Sequence, residues 1–427
     1  MKGNSQLAIF GGEPVFREGL PHYNSMAHEE LDAVGRVMKS GCLSAFYGSA
    51  GEEYFGGPMI KGFEDAWRDR FGVRHAVSVN SATSGLYAAM GAVGISPGDE
   101  VIVPPYTMSA TAMAPLVYGG IPVFADIDPD TFCLDPEAVR RVITPKTKAI
   151  LAVNLFGHPT PLEELRSLAD KHQLRLIEDN AQSPLASEHG RLCGTVGDIG
   201  VFSLNYHKHI HTGEGGMCVT DQDDLAKRLQ LIRNHAENLV EDWGIKDITN
   251  LVGFNYRMTE LSAAVGIEQL KKIESHVQQR EQLGQRLTAG ISGLEGLTPP
   301  KVRSGCRHVY YLWAMRFDKN IVGVTRGQFS RALAAEGFPH FNGYVRPLYL
   351  LPVFQRRTAF GSRGYPFDLS SACYPKGLCP VCERMHEEEL MCFETCMYEV
   401  SAQSLELLIE AIHKVHACRE ELSSLRK

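Results

Sequence analysis

From about residue 76 to residue 220 the chain alternates short apolar runs with helical patterns, and few architectures accommodate that order. Ala76–Asn80, Glu100–Val103, Ile121–Ala125, Lys148–Val153, Leu174–Glu178, Gly200–Phe202 and Gly216–Val219 read as strands. Thr83–Val93, Ala110–Tyr118, Leu162–His172 and Asp223 to about Asn234 place apolar residues at helical spacing. A further helix opens at Asp135-Pro136, an N-cap residue followed by proline in the first turn. Largely continuous apolar strands have both faces covered, and the intervening helices supply the cover. The pattern predicts an α/β fold with a mostly parallel sheet between helices.

After about residue 256 the pattern changes. A long helical stretch, Thr259–Gln285, leads into mixed elements that include the strand Tyr310–Met315 and an amphipathic helix, Ser401–Ser423. At 427 residues the chain exceeds what one core usually organises. We therefore expect a large domain over residues 1–268, with an N-terminal arm, and a smaller C-terminal α+β domain over 269–427. The boundary falls inside the connecting helix.

The formal charge of -7 is spread without a basic or acidic block, which argues against nucleic acid as a partner. No apolar run approaches the roughly 20 residues needed to span a bilayer. The N-terminal Met1-Lys2-Gly3-Asn4-Ser5-Gln6 lacks the apolar segment of a signal peptide, so a cytoplasmic protein is expected. Eleven cysteines, an odd number, do not form a complete disulfide set. Cys133, Cys193 and Cys218 stand alone in apolar strings. Cys373, Cys379, Cys382, Cys392 and Cys396 cluster at spacings a zinc site uses, yet Met391-Cys392-Phe393 reads as a strand. Reduced structural cysteines, with no metal, are the expectation.

In parallel α/β sheets, ligands bind at the carboxyl ends of the strands, where helix N-termini hold anions. Asn80-Ser81-Ala82-Thr83-Ser84-Gly85 joins a strand to a helix, which suits a phosphate and equally suits plain capping. Asp179 ends a strand, and a buried carboxylate there needs a cationic partner such as a protonated pyridine nitrogen. Gln182, three residues later, is spaced to reach a phenolic ring oxygen; loop capping is the alternative for both. Lys208 follows an apolar strand, with Ser203 five residues before it and Gly213-Glu214-Gly215-Gly216 after it. This arrangement suits a Schiff base with an aldehyde cofactor whose phosphate Ser203 also contacts. The amine must lose its proton to act, and burial or nearby cations favour that loss. His207 and His209 flank it and add to the effect if charged. Asn255 and Arg257 are polar groups in the aromatic loop Gly253–Met258, where a solvated connector is the alternative.

Together these residues resemble the DegT/StrS family of sugar aminotransferases, fold type I enzymes that use pyridoxal 5'-phosphate (PLP). The resemblance runs from Leu7–Gly12 into the last third of the chain. It is most specific at Asn80–Ser84, Asp126–Phe132, Ile177–Gln182, the Lys208 segment with Gly213–Gly216, and Asn255–Met258. It implies that Lys208 carries the cofactor, that Asp179 pairs with the pyridine nitrogen, and that Gln182 contacts the ring oxygen. Ala82, Thr83 and Ser203 would bind the phosphate, helped by Asn255 from the neighbouring subunit of a homodimer. The family pattern has glycine where this chain has Ala82. It places an aromatic residue on the ring face where this chain has Met108, whose sulfur can cover a ring; Tyr106 is the alternative.

The activity implied is transamination in two halves, from an amino acid donor such as glutamate to a nucleotide-linked 3- or 4-keto hexose or a ketocyclitol. A sugar dehydratase on this scaffold would replace the lysine with histidine, so Lys208 argues against it. An aromatising synthase keeps the lysine and stays open. A catalytically silent regulator has no need to retain Lys208, Asp179 and Gln182 together. Substrate contacts are expected from the loops Ala45–Gly48 and Gly343–Arg346. Arg346 and Arg257 are candidates either for a substrate phosphate or for structural salt bridges.

Overall fold

The computed structural model describes residues 6–425; the N-terminal residues 1–5 and residues 426–427 of the expected domains lie outside the described residues. Seven strands form the central sheet: β1 (His75–Val79), β2 (Glu100–Val103), β3 (Ile121–Phe124), β4 (Thr147–Val153), β5 (Arg175–Asp179), β6 (Ile199–Ser203) and β7 (Gly216–Thr220). Their order is β1-β7-β6-β5-β4-β2-β3. Strands β2 to β6 pair in parallel, whereas β7 runs antiparallel to both β6 and β1. The α/β architecture read from the sequence is the one the chain adopts.

Successive strand residues point to opposite faces, and both faces are covered. The helices concerned are α2 (Pro58–Phe71), α3 (Ala82–Ala92), α4 (Ala110–Val117), α5 (Pro136–Val142), α6 (Leu162–His172), α7 (Asp223–Arg233) and α8 (Glu260–Ile291), while α1 (His28–Ser40) packs on α8. Val77, Val79, Leu151, Val153, Ile177 and Val201 share one core with Leu86 of α3, Leu116 of α4 and Ile232 of α7. The alternate residues Ala76, Phe202 and Val219 pack instead with Phe63 and Trp67 of α2 and Ile273 of α8. Ile102, Ile150 and Leu176 meet Val139 of α5 and Leu165 of α6. Each fully buried Val, Leu or Ile contributes about 1.5–3 kcal/mol.

Helix α8 runs to Ile291, six residues past the expected end at Gln285. The reason is its partner: Leu283, Leu287 and Ile291, four residues apart, bury against the C-terminal sheet. That sheet contains β8 (Leu297–Thr298), β9 (Trp313–Phe317), β10 (Phe341–Asn342) and β11 (Leu390–Phe393), all antiparallel, in the order β8-β9-β11-β10. The strand expected from Tyr310 begins only at Trp313, because Tyr310 has φ 48°, outside extended geometry. Likewise the last helix spans Ala402–Ala417, capped by Ser401 accepting from Ser404 N–H, and a 3-10 turn, Arg419–Ser424, replaces its expected end. The N-terminal arm lies against this C-terminal part: Ala8 and Val15 N–H donate to the buried Glu336 carboxylate at 2.8 and 3.1 Å.

None of the eleven cysteines forms a disulfide, and among the described residues no three His, Cys, Asp or Glu side chains converge as metal ligands. Cys379, Cys382, Cys392 and Cys396 are buried. Cys379 precedes and Cys382 belongs to a short helix, Pro380–Arg384, whose Val381 and Cys382 N–H groups donate to the Asp126 carboxylate at 2.8 and 3.0 Å. No helix among the described residues is long and apolar enough to cross a membrane.

Several histidines are enclosed without a proton to spare. Burial pushes His158 down to about 4, its Nδ1 lying 2.7 Å from Pro159 O. Burial, with the Arg280 and Lys272 charges adding, does the same to His276. Both are neutral in the fold and titrate near 6.5 once unfolded, so the unfolded chain binds more protons between those values. Their contribution is complete above about pH 6.5 and is lost as pH falls toward 4. Urea unfolding at about pH 5 should therefore show a lower midpoint than at about pH 7.5. Equal midpoints would contradict this assignment.

Candidate active site

The carboxyl edge of the sheet gathers the polar residues singled out by the sequence. At the start of α3 the Ser81 hydroxyl accepts from Ser84 N–H at 3.1 Å, and the Ser84 hydroxyl donates to Asn80 Oδ1 at 2.6 Å. Those two hydroxyls serve the cap. Ala82 and Thr83 line an adjacent cavity, and their N–H groups belong to the first turn, where no preceding carbonyl can accept them. Gly216 lets the helix start sit this low: a Cβ there would stand 2.7 Å from Ala82 N. Ser203, half-buried at the end of β6, lines the same cavity.

Asp179 closes β5, buried, with Oδ2 accepting from the Thr111 hydroxyl at 2.8 Å and Oδ1 from Ala181 N–H at 3.2 Å. Burial raises its pKa, against the lowering effect of Thr111, Ala181 and the Lys208 charge. No Lys or Arg among the described residues lies within ion-pair distance of it. A buried carboxylate in that condition calls for a cation. Thr111 was not foreseen, although its place at a helix start beyond a strand end is the available signal. Gln182 is oriented by Phe156 N–H, which donates to Oε1 at 2.7 Å, while its Nε2 donates to the Tyr344 hydroxyl at 3.0 Å. Tyr344 lines the cavity from the loop Gly343–Arg346, one of the two loops expected to meet substrate.

Lys208 faces the cavity between these groups. Burial pushes its amine down to about 8, opposed by the Asp179 and Cys396 charges. The flanking histidines, considered from sequence as cations if charged, are not among the causes of that shift. His207 is itself pushed down to about 4 by burial, then by the Lys208 and His211 charges. His209 is buried with Nε2 against Val309 O at 2.8 Å. Desolvation therefore does the work assigned to them.

Met108 lines the cavity with 59% of its surface exposed, beside Val153 and Ala181. Tyr106, the alternative ring cover, is corrected: it is fully buried, with its ring edge-on to Tyr344 and His386 at 6.0 and 6.2 Å, and it does not line the cavity. Asn255 is exposed and outside its own chain's cavity; its Oδ1 accepts from Arg257 Nε at 2.8 Å. Arg257 thus pairs with neutral amides, Asn255 and Asn234, rather than with a carboxylate. Arg346 is exposed.

Across the edge lie, in sheet order, first-turn N–H groups beside β1 and β7, a hydroxyl at β6, and a carboxylate at β5. An enclosed amine stands among them, with apolar Met108, Val153 and Ala181 alongside. A flat aldehyde bearing a phosphate and a basic ring nitrogen fits this donor set: phosphate to the helix start and Ser203, nitrogen to Asp179, aldehyde to Lys208.

These features define a pyridoxal-phosphate enzyme of the α/β aminotransferase class. Residues 24–391 match the DegT/DnrJ/EryC1/StrS aminotransferase family, and the chain belongs to it. It is an aminotransferase whose cofactor is PLP. GDP-perosamine synthase of Caulobacter vibrioides is 37% identical over 302 residues, 70% of this chain and 79% of that one. L-glutamine:2-deoxy-scyllo-inosose aminotransferase of Streptoalloteichus tenebrarius is 33% identical over 430 residues, 94% of this chain and 97% of that one. Among solved structures, an aminotransferase from Psychrobacter cryohalolentis superimposes with TM-score 0.81 at 27% identity, over 94% of this chain and 100% of that one.

If Asp179 is held ionised by Thr111, the change Thr111→Val should weaken PLP binding by roughly 10- to 100-fold, the value of a hydrogen bond to a charged group. Absorbance titration of the cofactor-free protein measures it. Unchanged affinity would remove Thr111 from the site.

Proposed function

We propose that this chain transfers an amino group from glutamate, or its amide glutamine, to a ketocyclitol or keto sugar. The observation that carries this reading is the buried pair of Lys208 and Asp179 at one cavity, in a chain that resembles cyclitol aminotransferases over nearly its whole length. Among the acceptors the ketocyclitol is favoured by the resemblance to L-glutamine:2-deoxy-scyllo-inosose aminotransferase, which covers 94% of this chain. A nucleotide-linked 3- or 4-keto hexose is the second reading, supported by the resemblance to GDP-perosamine synthase.

Bound PLP supplies an electron sink for the carbanion that forms at the amino-bearing carbon. In this reading Asp179 stays ionised and holds the ring nitrogen protonated. Ala82 and Thr83 N–H groups and the Ser203 hydroxyl fix the phosphate. Met108 covers one ring face and Gln182 donates to the ring oxygen, with Tyr344 orienting its amide. Lys208, the residue that would carry the cofactor, would as a free amine hold or move a proton at the substrate carbon, a task suited to an amine near neutrality. Asn255, exposed outside its own cavity, serves the phosphate of the neighbouring subunit in a homodimer. Cysteines that form no disulfide fit a reducing, cytoplasmic setting.

The purified protein should carry a visible absorbance band that glutamate or glutamine bleaches and that a ketocyclitol restores, with the aminated product seen by mass spectrometry. Lys208→Ala should lose at least roughly 10²- to 10⁴-fold in rate, the usual share of general acid–base catalysis. Turnover by that variant sinks the reading, and amination of nucleotide-linked ketoses alone reverses the acceptor assignment.

A further inference from the structure

We propose that Tyr311 holds the Lys208 amine in place and favours its protonated form whenever that amine is free. The nitrogen stands 4.3 Å from the centre of the Tyr311 ring, within the ~6 Å over which the negative face of an aromatic attracts a cation. Tyr311 comes from the chain beyond α8, so the C-terminal part supplies one wall of the lysine's surroundings.

The ring's position is over-determined. Val309 N–H donates to Gly157 O at 2.9 Å, and Leu312 N–H to Phe156 O at 3.2 Å. The Thr395 hydroxyl donates to Tyr311 O at 3.0 Å from the other side. Gly157 has φ +100°, and a Cβ on it would stand 2.6 Å from Tyr310 N and 2.7 Å from Tyr311 N. No other residue type lets the two segments approach so closely. Since Phe156 N–H also donates to Gln182, one turn fixes both Gln182 and the tyrosine segment.

The chemistry asks for such a device. Burial favours the neutral amine, yet a proton carrier must also hold its proton. The charged groups that face Lys208 are Asp179 at the end of β5 and Cys396 beyond β11, with neutral His207 on its own segment. Around the Tyr311 ring stand Tyr344, Cys396, Glu394 and Tyr206, with the His207 and His209 rings at 6.1 and 6.3 Å. Burial holds the Tyr311 hydroxyl protonated, so the residue acts through its ring face and not as a phenolate. An aromatic face attracts the ammonium without a fixed lone pair, leaving the amine free to swing toward the cofactor.

The test uses the full-length protein loaded with pyridoxamine phosphate, which leaves the lysine amine free. Brief acetic anhydride pulses across a pH series acetylate only the neutral amine: nitrogen bonds one carbonyl carbon, acetate departs, and the proton goes to solvent. Mass spectrometry of the Lys208 peptide gives the pH midpoint, expected near about 8 in the unaltered protein. Tyr311→Leu should lower the midpoint by about one pH unit, and Tyr311→Phe should keep it within about 0.3. A midpoint unmoved or raised in Tyr311→Leu overturns the proposal, as does an equal fall in Tyr311→Phe. Should Tyr311→Leu fail to fold by circular dichroism, pentafluorophenylalanine at position 311, whose face no longer attracts cations, gives the same reading: a lowered midpoint supports the proposal and an unmoved one overturns it. The inference rests on Lys208 being the working amine. A ring-dependent midpoint in a protein that forms no visible band with PLP would retain the tuning and sink the proposed function.

Discussion

Desolvation at the carboxyl edge of the sheet is the constraint on which the site depends. A sheet covered on both faces leaves its polar groups little water except at the strand ends, and there the chain places Asp179 and Lys208. Burial moves both toward their neutral forms, the carboxyl upward and the amine downward. The carboxylate is held by Thr111 and Ala181, and no Lys or Arg among the described residues forms an ion pair with it. The amine is left close to neutrality, where a proton carrier works best. The two opposite shifts have one cause.

The rest of the fold keeps that edge compact. Gly216, paired with both Val79 and Ser203, lets the first turn of α3 settle over the strand ends. Phe156 and Gly157 tie Gln182 to the segment 309–312, so that residues far apart in sequence share one scaffold. Helix α8 spans the distance: its first half lies against the central sheet's helices and its last turns against the C-terminal sheet. Through it, a side chain from beyond residue 300 reaches a lysine at 208.

Much of the site was legible because its residues sit at fixed offsets from strand ends. Asp179 closes β5, Ser203 closes β6 and Ala82 opens α3, and each offset follows from local hydrophobic pattern alone. Thr111 was not read, and Tyr344 only as part of a substrate loop, because their roles depend on partners 68 and 162 residues away. The flanking histidines were read as adding to the effect only if charged, and their charge was out of reach for a related reason. Sequence adjacency suggested cations, whereas the enclosure that discharges His207 is a property of the packed structure. Tyr106 and Met108 are two residues apart, and only the turn between β2 and α4 decides which of them meets the cavity.

What the sequence determined by itself is the order of strands and helices, hence a sheet buried on both faces, and with it the placing of a carboxylate, a hydroxyl and a lysine at one edge. Periodicity and chain order are local properties, and they survive without knowledge of contacts. Tertiary structure alone decided how charged those groups are and what touches them: the descent of Lys208 to about 8, the discharge of His207 and the tyrosine beneath the amine. Desolvation and ring contact depend on what packs from outside the segment, and no stretch of sequence contains its own surroundings.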